Sequence, residues 1–413
     1  MDIKSRHPGR VTEKAMSYLK EVVDYGFGQS KGPGMRDRFE QAFAKRFGTE
    51  FGIGLCNGTA TMHCCLGAVG VKPGDEVIVP PLTAAATAFA VLHQGAIPVF
   101  ADIDPDTFNI CPKSIRERIT PLTKAIIPVH LYGLPADMEE IMKISREHNL
   151  IVIEDSAECF LGEINGKLAG TIGHFGSFSF QSSKHLTCGD GGIVICNDPT
   201  LATGVRKFGC FGYHTLTGKG GGVIPKKQRC DPGAVRHDFM GWNYRMSALQ
   251  AAVALEQTER IDELVGLRIQ IAEMFLEVVK DCNFLIPQKT PPGYKNSYWT
   301  FVCKYEAEVA SVSWKDFRQK FYDNGGDLVY AAWRLSYNEP IFQERRFLGD
   351  FPVDSEIYKG KYKDYSPGLC PVAEKIQPKL MQFKNNYYNL EEARVQVEAL
   401  RKAIESVKAA KSR

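Results

Sequence analysis

The chain has 413 residues, of which 44% are hydrophobic and 24% charged, with twelve cysteines and a formal net charge of +3. This length exceeds what one compact core usually holds, so we expect two domains, and the near-neutral charge gives no indication of a nucleic-acid partner. No Cys-x-x-Cys pair with metal spacing occurs, so we interpret the cysteines as reduced, small hydrophobic residues and predict no metal site.

The amino-terminal part of the chain predicts helices and no targeting segment. Residues 1–8 contain no apolar stretch typical of a secretion signal, and no apolar segment of the chain is long enough to span a bilayer. We therefore expect a cytoplasmic protein without a membrane partner. Helical apolar spacing follows at residues 12–25 and, after a glycine-rich interruption, at residues 35–47.

From residue 51 onward, short apolar runs alternate with helical segments. This alternation predicts an α/β fold with a mostly parallel, seven-stranded sheet between helices. Ligands of such sheets bind at the carboxyl ends of the strands, so the residues directly after each run are the candidates for function. The seven runs are residues 51–55, 76–79, 97–101, 125–129, 150–154, 177–180 and 193–196.

The second half of the chain begins with a polar stretch rich in glycine and lysine at residues 211–239. It has no visible element and is equally compatible with a solvated insertion and with a lid over a substrate. A long helix is predicted for residues 245–280, followed by a mixed pattern that includes a strand at 297–305 and helices at 314–324 and 391–408. We place a large domain at residues 1–260 and a smaller α+β domain at residues 261–413.

Two short segments follow apolar runs and suggest a site for a phosphorylated ring. The first opens a helix, where the unpaired amides of Gly58, Thr59 and Ala60 could bind a phosphate, although an ordinary turn with an N-cap has the same sequence. The second ends with Asp155, whose carboxylate could pair with a protonated heterocyclic nitrogen or could cap the next helix.

Two further segments supply a lysine and an anion-binding group. The strand before Lys184 delivers serine hydroxyls, among them Ser179, and Gly-Asp-Gly-Gly follows the lysine. A lysine in a partly desolvated site is a competent imine-forming nucleophile, whereas an isolated lysine is usually a surface residue. The last segment places Asn243, Tyr244 and Arg245 before a helix, where they could reach an anion or simply cap the helix.

With these four segments in this order, the sequence resembles the sugar aminotransferases of the DegT/DnrJ/EryC1/StrS family. The resemblance covers about residues 22–374 and is carried mainly by the segments around Lys184 and Asn243. It implies the fold-type-I architecture, with a large domain that binds pyridoxal 5'-phosphate (PLP) and a smaller C-terminal domain. It also implies a homodimer with shared active sites.

The family pattern assigns roles to individual residues of this chain. Lys184 would be the catalytic residue, binding PLP covalently and moving a proton between cofactor and substrate. Asp155 would pair with the pyridine nitrogen, Glu158 would lie near the ring, and Asn243 would reach the phosphate of the neighbouring subunit. The full set expected to bind the cofactor is Gly58, Thr59, Ala60, Asp155, Glu158, Ser179, Lys184 and Asn243.

Two positions bear on the reaction that this family pattern implies. Ala84 lies where family members commonly carry an aromatic residue stacked on the PLP ring, so stacking must come from elsewhere or be absent. A branch of the family replaces the lysine with histidine and dehydrates sugars. Here Lys184 occupies that position and His185 follows it, which favours transamination. The residues expected to bind substrate are His185, Tyr244, Arg245 and Arg334.

The resemblance implies transfer of an amino group from glutamate to a nucleotide-linked keto-deoxyhexose, for amino sugar biosynthesis and a surface polysaccharide such as lipopolysaccharide. Residues 80–83 and 330–337 are also similar to the 8-amino-3,8-dideoxy-octulosonate transaminases, which act on a free 8-oxo sugar acid. In that case Arg334 or a lysine of the glycine-rich stretch would bind the substrate carboxylate. A PLP-dependent dehydratase, a non-catalytic PLP-binding regulator and a cofactor-free α/β protein remain as alternatives.

Overall fold

The computed structural model describes residues 10–27, 32–220, 230–347 and 363–411. Its strands in chain order are β1 (Phe51–Leu55), β2 (Glu76–Val79), β3 (Ile97–Phe100), β4 (Thr123–Ile126), β5 (Ile151–Asp155), β6 (Glu163–Ile164), β7 (Lys167–Leu168), β8 (Phe175–Ser179), β9 (Gly192–Cys196), β10 (Leu285–Pro287), β11 (Tyr294–Lys295), β12 (Phe301–Tyr305), β13 (Val329–Ala331) and β14 (Leu380–Phe383).

The α-helices of the described residues surround these strands. In chain order they are α1 (Glu13–Asp24), α2 (Met35–Phe47), α3 (Gly58–Ala68), α4 (Ala86–His93), α5 (Pro112–Arg118), α6 (Met138–His148), α7 (Pro199–Phe208), α8 (Ala248–Glu259), α9 (Ile261–Val279), α10 (Ala307–Ala310), α11 (Trp314–Asp323), α12 (Pro340–Gln343), α13 (Pro371–Ile376) and α14 (Leu390–Lys411).

Seven strands form the central sheet, in the order β1-β9-β8-β5-β4-β2-β3. The pairs from β8 to β3 are parallel, whereas β9 runs antiparallel to both of its neighbours, β1 and β8. The predicted α/β fold with a mostly parallel, seven-stranded sheet is thereby confirmed. The strands are buried almost throughout because helices cover both faces, which explains their continuous apolar sequences.

The order and direction of the strands bring three important chain segments to one edge of this sheet. Strands β1, β5 and β8 all point the same way, so the residues after Leu55, Asp155 and Ser179 lie at the same edge. Helix α3 starts directly beyond β1 and is buried along most of its length, packed against α4, α7 and the sheet. Its amino-terminal end is therefore held firmly at the edge where ligands of such sheets bind.

The helix predicted for residues 245–280 is divided into α8 and α9. Helix α8 begins later than predicted because Ser247 and Gln250 form a capping box, in which each side chain bonds to the backbone of the other residue. Arg260 then leaves the helical conformation, with φ −107° and ψ 13°, and separates the two helices. Its guanidinium bonds to Glu256 and Glu263 on either side of the break.

A second, four-stranded sheet in the C-terminal half has the order β10-β12-β14-β13 and packs with α9, α11 and α14 around a core of its own. Other C-terminal residues, such as Leu335 and Tyr337, belong instead to the core beneath the central sheet. A small sheet in the order β11-β6-β7 also joins the two halves of the chain. The domain boundary at residue 260 stays a prediction.

The predicted loop at residues 211–239 is described at both ends, while residues 221–229 lie outside the described residues. The two ends pair with each other through an isolated bridge between Tyr213 and His237. A second bridge joins Cys210 to Asn243. The choice between a surface insertion and a lid stays open. None of the helices in the described ranges combines the length and apolar character needed to cross a bilayer.

Candidate active site

A cavity of about 470 Å³ opens at the edge of the sheet where β1, β5 and β8 end. We call it the lysine cavity, because Lys184 is part of its wall. Its volume lies in the range of pockets that hold cofactors and small substrates. Six of the eight residues predicted to bind the cofactor line it, namely Gly58, Thr59, Asp155, Glu158, Ser179 and Lys184.

Lys184 follows β8 in a tight turn, and its side chain extends into the protein with 11% of its surface exposed. Its Nζ lies 3.0 Å from Oε1 of Glu158 and 4.5 Å from the centre of the Trp299 ring. The backbone of the lysine is fixed as well, because its amide donates to the Gln181 carbonyl and its carbonyl accepts from Arg268 Nη2. The partly desolvated environment predicted for this lysine is present.

Two buried carboxylates lie next to the lysine. Asp155 Oδ2 accepts a 2.8 Å hydrogen bond from the Thr87 hydroxyl, and its Oδ1 accepts from the Ala157 amide at 3.2 Å. Burial raises the pKa of Asp155, and the hydrogen bond from Thr87 acts in the opposite direction. A carboxylate held this way is placed to gain a cationic partner such as a protonated ring nitrogen.

Glu158 is the second buried carboxylate of the cavity. Its Oε2 accepts a 3.1 Å hydrogen bond from the Tyr132 amide, and Tyr132 has a left-handed backbone with φ of 62°. This conformation is uncommon for a tyrosine, and here it accompanies an amide directed at the site. Burial raises the pKa of Glu158, while the charge of Lys184 lowers it.

The end of the cavity formed by α3 has the features of a phosphate site. The amides of Gly58 and Thr59 make no hydrogen bond with another described residue, as is usual in the first turn of a helix. A Cβ on Gly58 would lie 2.8 Å from Cβ of Ser179, so only glycine permits this close approach. Two unpaired amides and the Ser179 hydroxyl thus share one end of the cavity, which fits the phosphate of PLP.

The prediction for Ala60 needs a correction. Its amide donates to Oδ1 of Asn57 at 2.8 Å, and Ala60 does not line the lysine cavity. The side chain of Asn57 caps α3 and occupies the donor that was expected to bind phosphate. The cap and the anion site therefore use different amides of the same helical turn.

Asn243, Tyr244 and Arg245 do not reach the lysine cavity of their own chain. The Tyr244 hydroxyl lies 3.2 Å from Nδ1 of His63, a residue of α3, and the Tyr244 ring stacks on that of Trp242. Arg245 places its guanidinium over the Phe211 ring, at 5.2 Å from the ring centre. Asn243 is exposed. Within one chain these three residues lie outside the cavity in which substrate was predicted to bind.

His185 and Arg334 are likewise not brought to the cavity. His185 is buried with its Nε2 2.9 Å from the Ser297 carbonyl oxygen and its ring beside Phe160. Burial lowers the pKa of His185 well below its usual value, so the ring is held neutral. Arg334 is exposed next to Trp333. In this arrangement none of the four residues predicted to bind substrate lines the lysine cavity.

Residues absent from the sequence prediction complete the wall. Trp299 and Trp333 both line the lysine cavity, and their rings stack with centres 5.8 Å apart and an angle of 21°. Ala84 also lines the cavity, as expected for the residue at the stacking position. Both tryptophans come from the C-terminal half. Trp333 lies in the segment 330–337 that resembles the octulosonate transaminases, whereas no local motif marks Trp299.

An anion site, a buried carboxylate and a lysine therefore surround one cavity, and this combination fits PLP. Within the described residues, no group of three or more His, Cys, Asp or Glu side chains is placed to hold a metal ion.

Comparisons with known proteins agree with this geometry. The model of the DegT/DnrJ/EryC1/StrS aminotransferase family matches residues 10–362. GDP-perosamine synthase of Escherichia coli O157:H7 is 37% identical over 290 residues, which are 70% of this chain and 74% of that protein. The aminotransferase from Psychrobacter cryohalolentis superposes with a TM-score of 0.82 at 25% identity, covering 98% of this chain and 99% of that one.

A further solved structure bears on the cofactor. NtdA from Bacillus subtilis, solved with bound cofactor PMP, has a TM-score of 0.76 and 26% identity and covers 95% of this chain and 82% of that one. A family match over most of the chain, together with a cavity whose residues fit the cofactor, leads to one conclusion. This chain belongs to the DegT/DnrJ/EryC1/StrS aminotransferase family and is a PLP-dependent aminotransferase.

Proposed function

We propose that the protein transfers an amino group from glutamate to a nucleotide-linked keto-deoxyhexose, and that the amino sugar enters a surface polysaccharide such as lipopolysaccharide. The observation that carries this proposal is the position of Lys184. Its Nζ lies 3.0 Å from Glu158 in the cavity that also contains Asp155. The similarity to a GDP-perosamine synthase supports a nucleotide-linked sugar.

The chemistry divides between the cofactor and the protein. When bound, PLP supplies an electron sink for the carbon that loses or gains a proton during amino transfer. Lys184 Nζ is the group that takes up and returns this proton, because it is the basic group that projects into the cavity beside the buried acids. Glu158 orients Nζ and provides the opposite charge next to it.

The remaining polar groups orient the ring. Asp155, supported by Thr87, would hold a protonated pyridine nitrogen through a charge-assisted hydrogen bond. Gly58, Thr59 and Ser179 would hold the phosphate.

Sugar dehydration is the weaker alternative for this cavity. The branch that dehydrates carries histidine in place of the lysine, whereas here Lys184 projects into the cavity. His185 bonds instead to the Ser297 carbonyl outside it. A lysine in this position would hold the cofactor through its amine, which favours transamination.

We also propose that the protein is a homodimer in which Asn243 of one subunit reaches the phosphate bound by the other. Asn243 is exposed and outside its own cavity, and apolar side chains near it are exposed as well. Met240 is 82% exposed and Trp242 is 42% exposed. Exposed apolar groups of this kind are typical of surfaces that pack against another protein.

We place the protein in the cytoplasm. All twelve cysteines lie among the described residues, and none of them forms a disulfide. Unpaired thiols in this number favour a reducing compartment.

The proposed function can be tested with the purified protein and the variant Lys184→Ala. We expect wild type reconstituted with PLP to lose the visible PLP absorption when glutamate is added, and to recover it when a nucleotide-linked keto-sugar follows. Lys184→Ala should show neither change. Wild type that binds PLP but does not respond to glutamate would contradict the proposal.

A further inference from the structure

A second cavity of about 530 Å³ adjoins the lysine cavity, and we call it the distal cavity. The two cavities share Ser183, Trp299 and Trp333 in their walls. The two cavities therefore lie side by side, and a substrate that occupies both would pass the two tryptophans. Its wall is otherwise formed mainly by β13, β14 and the segment that follows β14.

The distal cavity has an excess of positive charge. Arg268 and Lys384 contribute to its wall, and no aspartate or glutamate is among its described lining residues. Lys384 is paired with Asp327 at 2.7 Å, so its charge is compensated. The bonds of Arg268 go to backbone carbonyls and none goes to a described carboxylate, although only 6% of its surface is exposed. A buried charge without an opposite charge is unfavourable, and an anionic ligand would compensate it.

The hydrogen bonds of Arg268 leave room for such a ligand. Nη1 donates to the Trp299 carbonyl at 2.7 Å, and Nη2 donates to the carbonyls of Ser183 and Lys184 at 3.1 and 2.7 Å. A guanidinium has five N–H donors, so these bonds do not exhaust its capacity. Burial, with a smaller contribution from the charge of Arg10, lowers the pKa of Arg268 to about 9, while Tyr388 and the charge of Glu158 act in the opposite direction.

A second group in this wall lacks a partner. Asn385 is 1% exposed, and its Nδ2 donates to the Tyr298 carbonyl at 2.7 Å, but its Oδ1 has no hydrogen-bond partner. A buried acceptor of this kind is normally satisfied, and a ligand hydroxyl or N–H would satisfy it. Close by, the partly exposed rings of Tyr330 and Trp333 offer flat apolar surface of the kind that packs against sugar rings.

We infer that the distal cavity binds the anionic end of the keto-sugar substrate. Arg268 binds the negatively charged group, Asn385 Oδ1 accepts a hydrogen bond from a hydroxyl, and Trp333 packs against the sugar. This inference rests on the proposed function, because it requires the keto carbon to lie at Lys184. The negative charge has one of two sources, the diphosphate of a nucleotide-linked sugar or the carboxylate of a free sugar acid.

The test uses the PLP-loaded enzyme with Asn385→Asp, which adds a negative charge to the distal cavity at nearly constant size. The matched control is Asn389→Asp, which makes the same chemical change at an exposed residue outside the cavity. Binding of GDP and of 3-deoxy-octulosonate is measured by calorimetry. We expect one of the two to bind wild type and Asn389→Asp equally, and to bind Asn385→Asp at least about tenfold more weakly because like charges repel.

The probe that binds identifies the source of the charge, GDP for a nucleotide-linked sugar and 3-deoxy-octulosonate for a sugar acid. A second variant, Tyr330→Ala, should weaken binding of the same probe. It keeps the inference testable if Asn385→Asp fails to fold. The inference is overturned when neither probe distinguishes the distal-cavity variants from wild type. In that outcome the loss of PLP absorption with glutamate is unaffected, whereas failure of the proposed function would abolish that response in wild type itself.

Discussion

The Nζ of Lys184 lies 3.0 Å from Oε1 of Glu158, with both side chains largely removed from solvent. An ion pair in such surroundings holds the lysine in one position only while the carboxylate is charged. Because Glu158 also accepts the Tyr132 amide, its own position is fixed independently of the lysine. Protonation of Glu158 at lower pH would therefore release Lys184 from this position.

Glu158→Gln should reduce the rate of amino transfer by about tenfold or more, because only one of the two oxygens that accept from Tyr132 and Lys184 is kept and the full charge is lost. Burial raises the pKa of Glu158, so wild-type activity should decline on acidification at a pH above the usual range of a glutamate. This decline should be weaker in Glu158→Gln, as measured by pH profiles of kcat. Identical profiles for the two proteins would contradict a role for this charge.

Asp155→Asn should lower activity by at least about 100-fold, as expected for loss of a group that protonates or orients the reacting ring. In the PLP-free protein the same change should raise the melting temperature at neutral pH. Burial raises the folded-state pKa of Asp155, so its stabilising contribution is present below the unfolded-state pKa and is lost as the pH rises through the folded-state pKa. Asp155→Asn has no carboxyl group to ionise at this position, so the variant does not lose this stability as the pH rises.

The stability difference between wild type and Asp155→Asn should therefore shrink as the pH is lowered toward the unfolded-state pKa of an aspartate, about 3.9. Asp281→Asn, at an exposed position, is the matched control and should leave both activity and melting temperature unchanged. A lower melting temperature for Asp155→Asn at neutral pH would show that its hydrogen bonds outweigh the cost of burial.

Gly58→Ala should weaken PLP binding by at least about tenfold, corresponding to about 1.4 kcal/mol. The added methyl group would lie 2.8 Å from Cβ of Ser179 and would force apart the two sides of the phosphate site. The control is Gly266→Ala in α9, where a Cβ meets nothing within 4 Å. That change should stabilise the protein by about 0.5–1 kcal/mol through helix propensity without affecting PLP affinity. Equal PLP affinities for both variants would refute the phosphate site.

Met240→Asp should shift the protein from dimer to monomer and lower its affinity for PLP, because Asn243 would no longer reach the neighbouring site. Val395→Asp introduces the same charge at another exposed apolar side chain, on α14, and should leave assembly unchanged. Sedimentation velocity measures assembly, and a titration with PLP measures affinity. A Met240→Asp protein that remains dimeric with full affinity would place the interface elsewhere.

Much of the fold follows directly from the sequence, because buried parallel strands appear as continuous apolar runs. The runs at 51–55 and 76–79 coincide with β1 and β2, and the others differ from their strands by one to three residues at an end. The site residues of the central sheet could be predicted for a related reason. Asp155 ends a strand, and Gly58 and Lys184 come within five residues of a strand end, so the local sequence places them at the same edge.

The remaining site residues depend on contacts that local sequence does not specify. Trp299 reaches Lys184 across a separation in sequence of more than a hundred residues. Thr87 supports Asp155, at the end of β5, from helix α4. His185 was predicted to contact substrate because it neighbours Lys184, but successive residues of this turn point to opposite sides. Ala60 was misplaced because a single side chain, that of Asn57, takes its amide.

Arg268 joins parts of the chain that meet only in the folded protein. It lies on α9, and its guanidinium holds the backbone of Ser183, Lys184 and Trp299 together. Any rotation of α9 away from the central sheet would have to break these three bonds or carry the lysine turn with it. Opening and closing of the enzyme around its substrate would therefore either bend at other points of the chain or break the bonds of this junction.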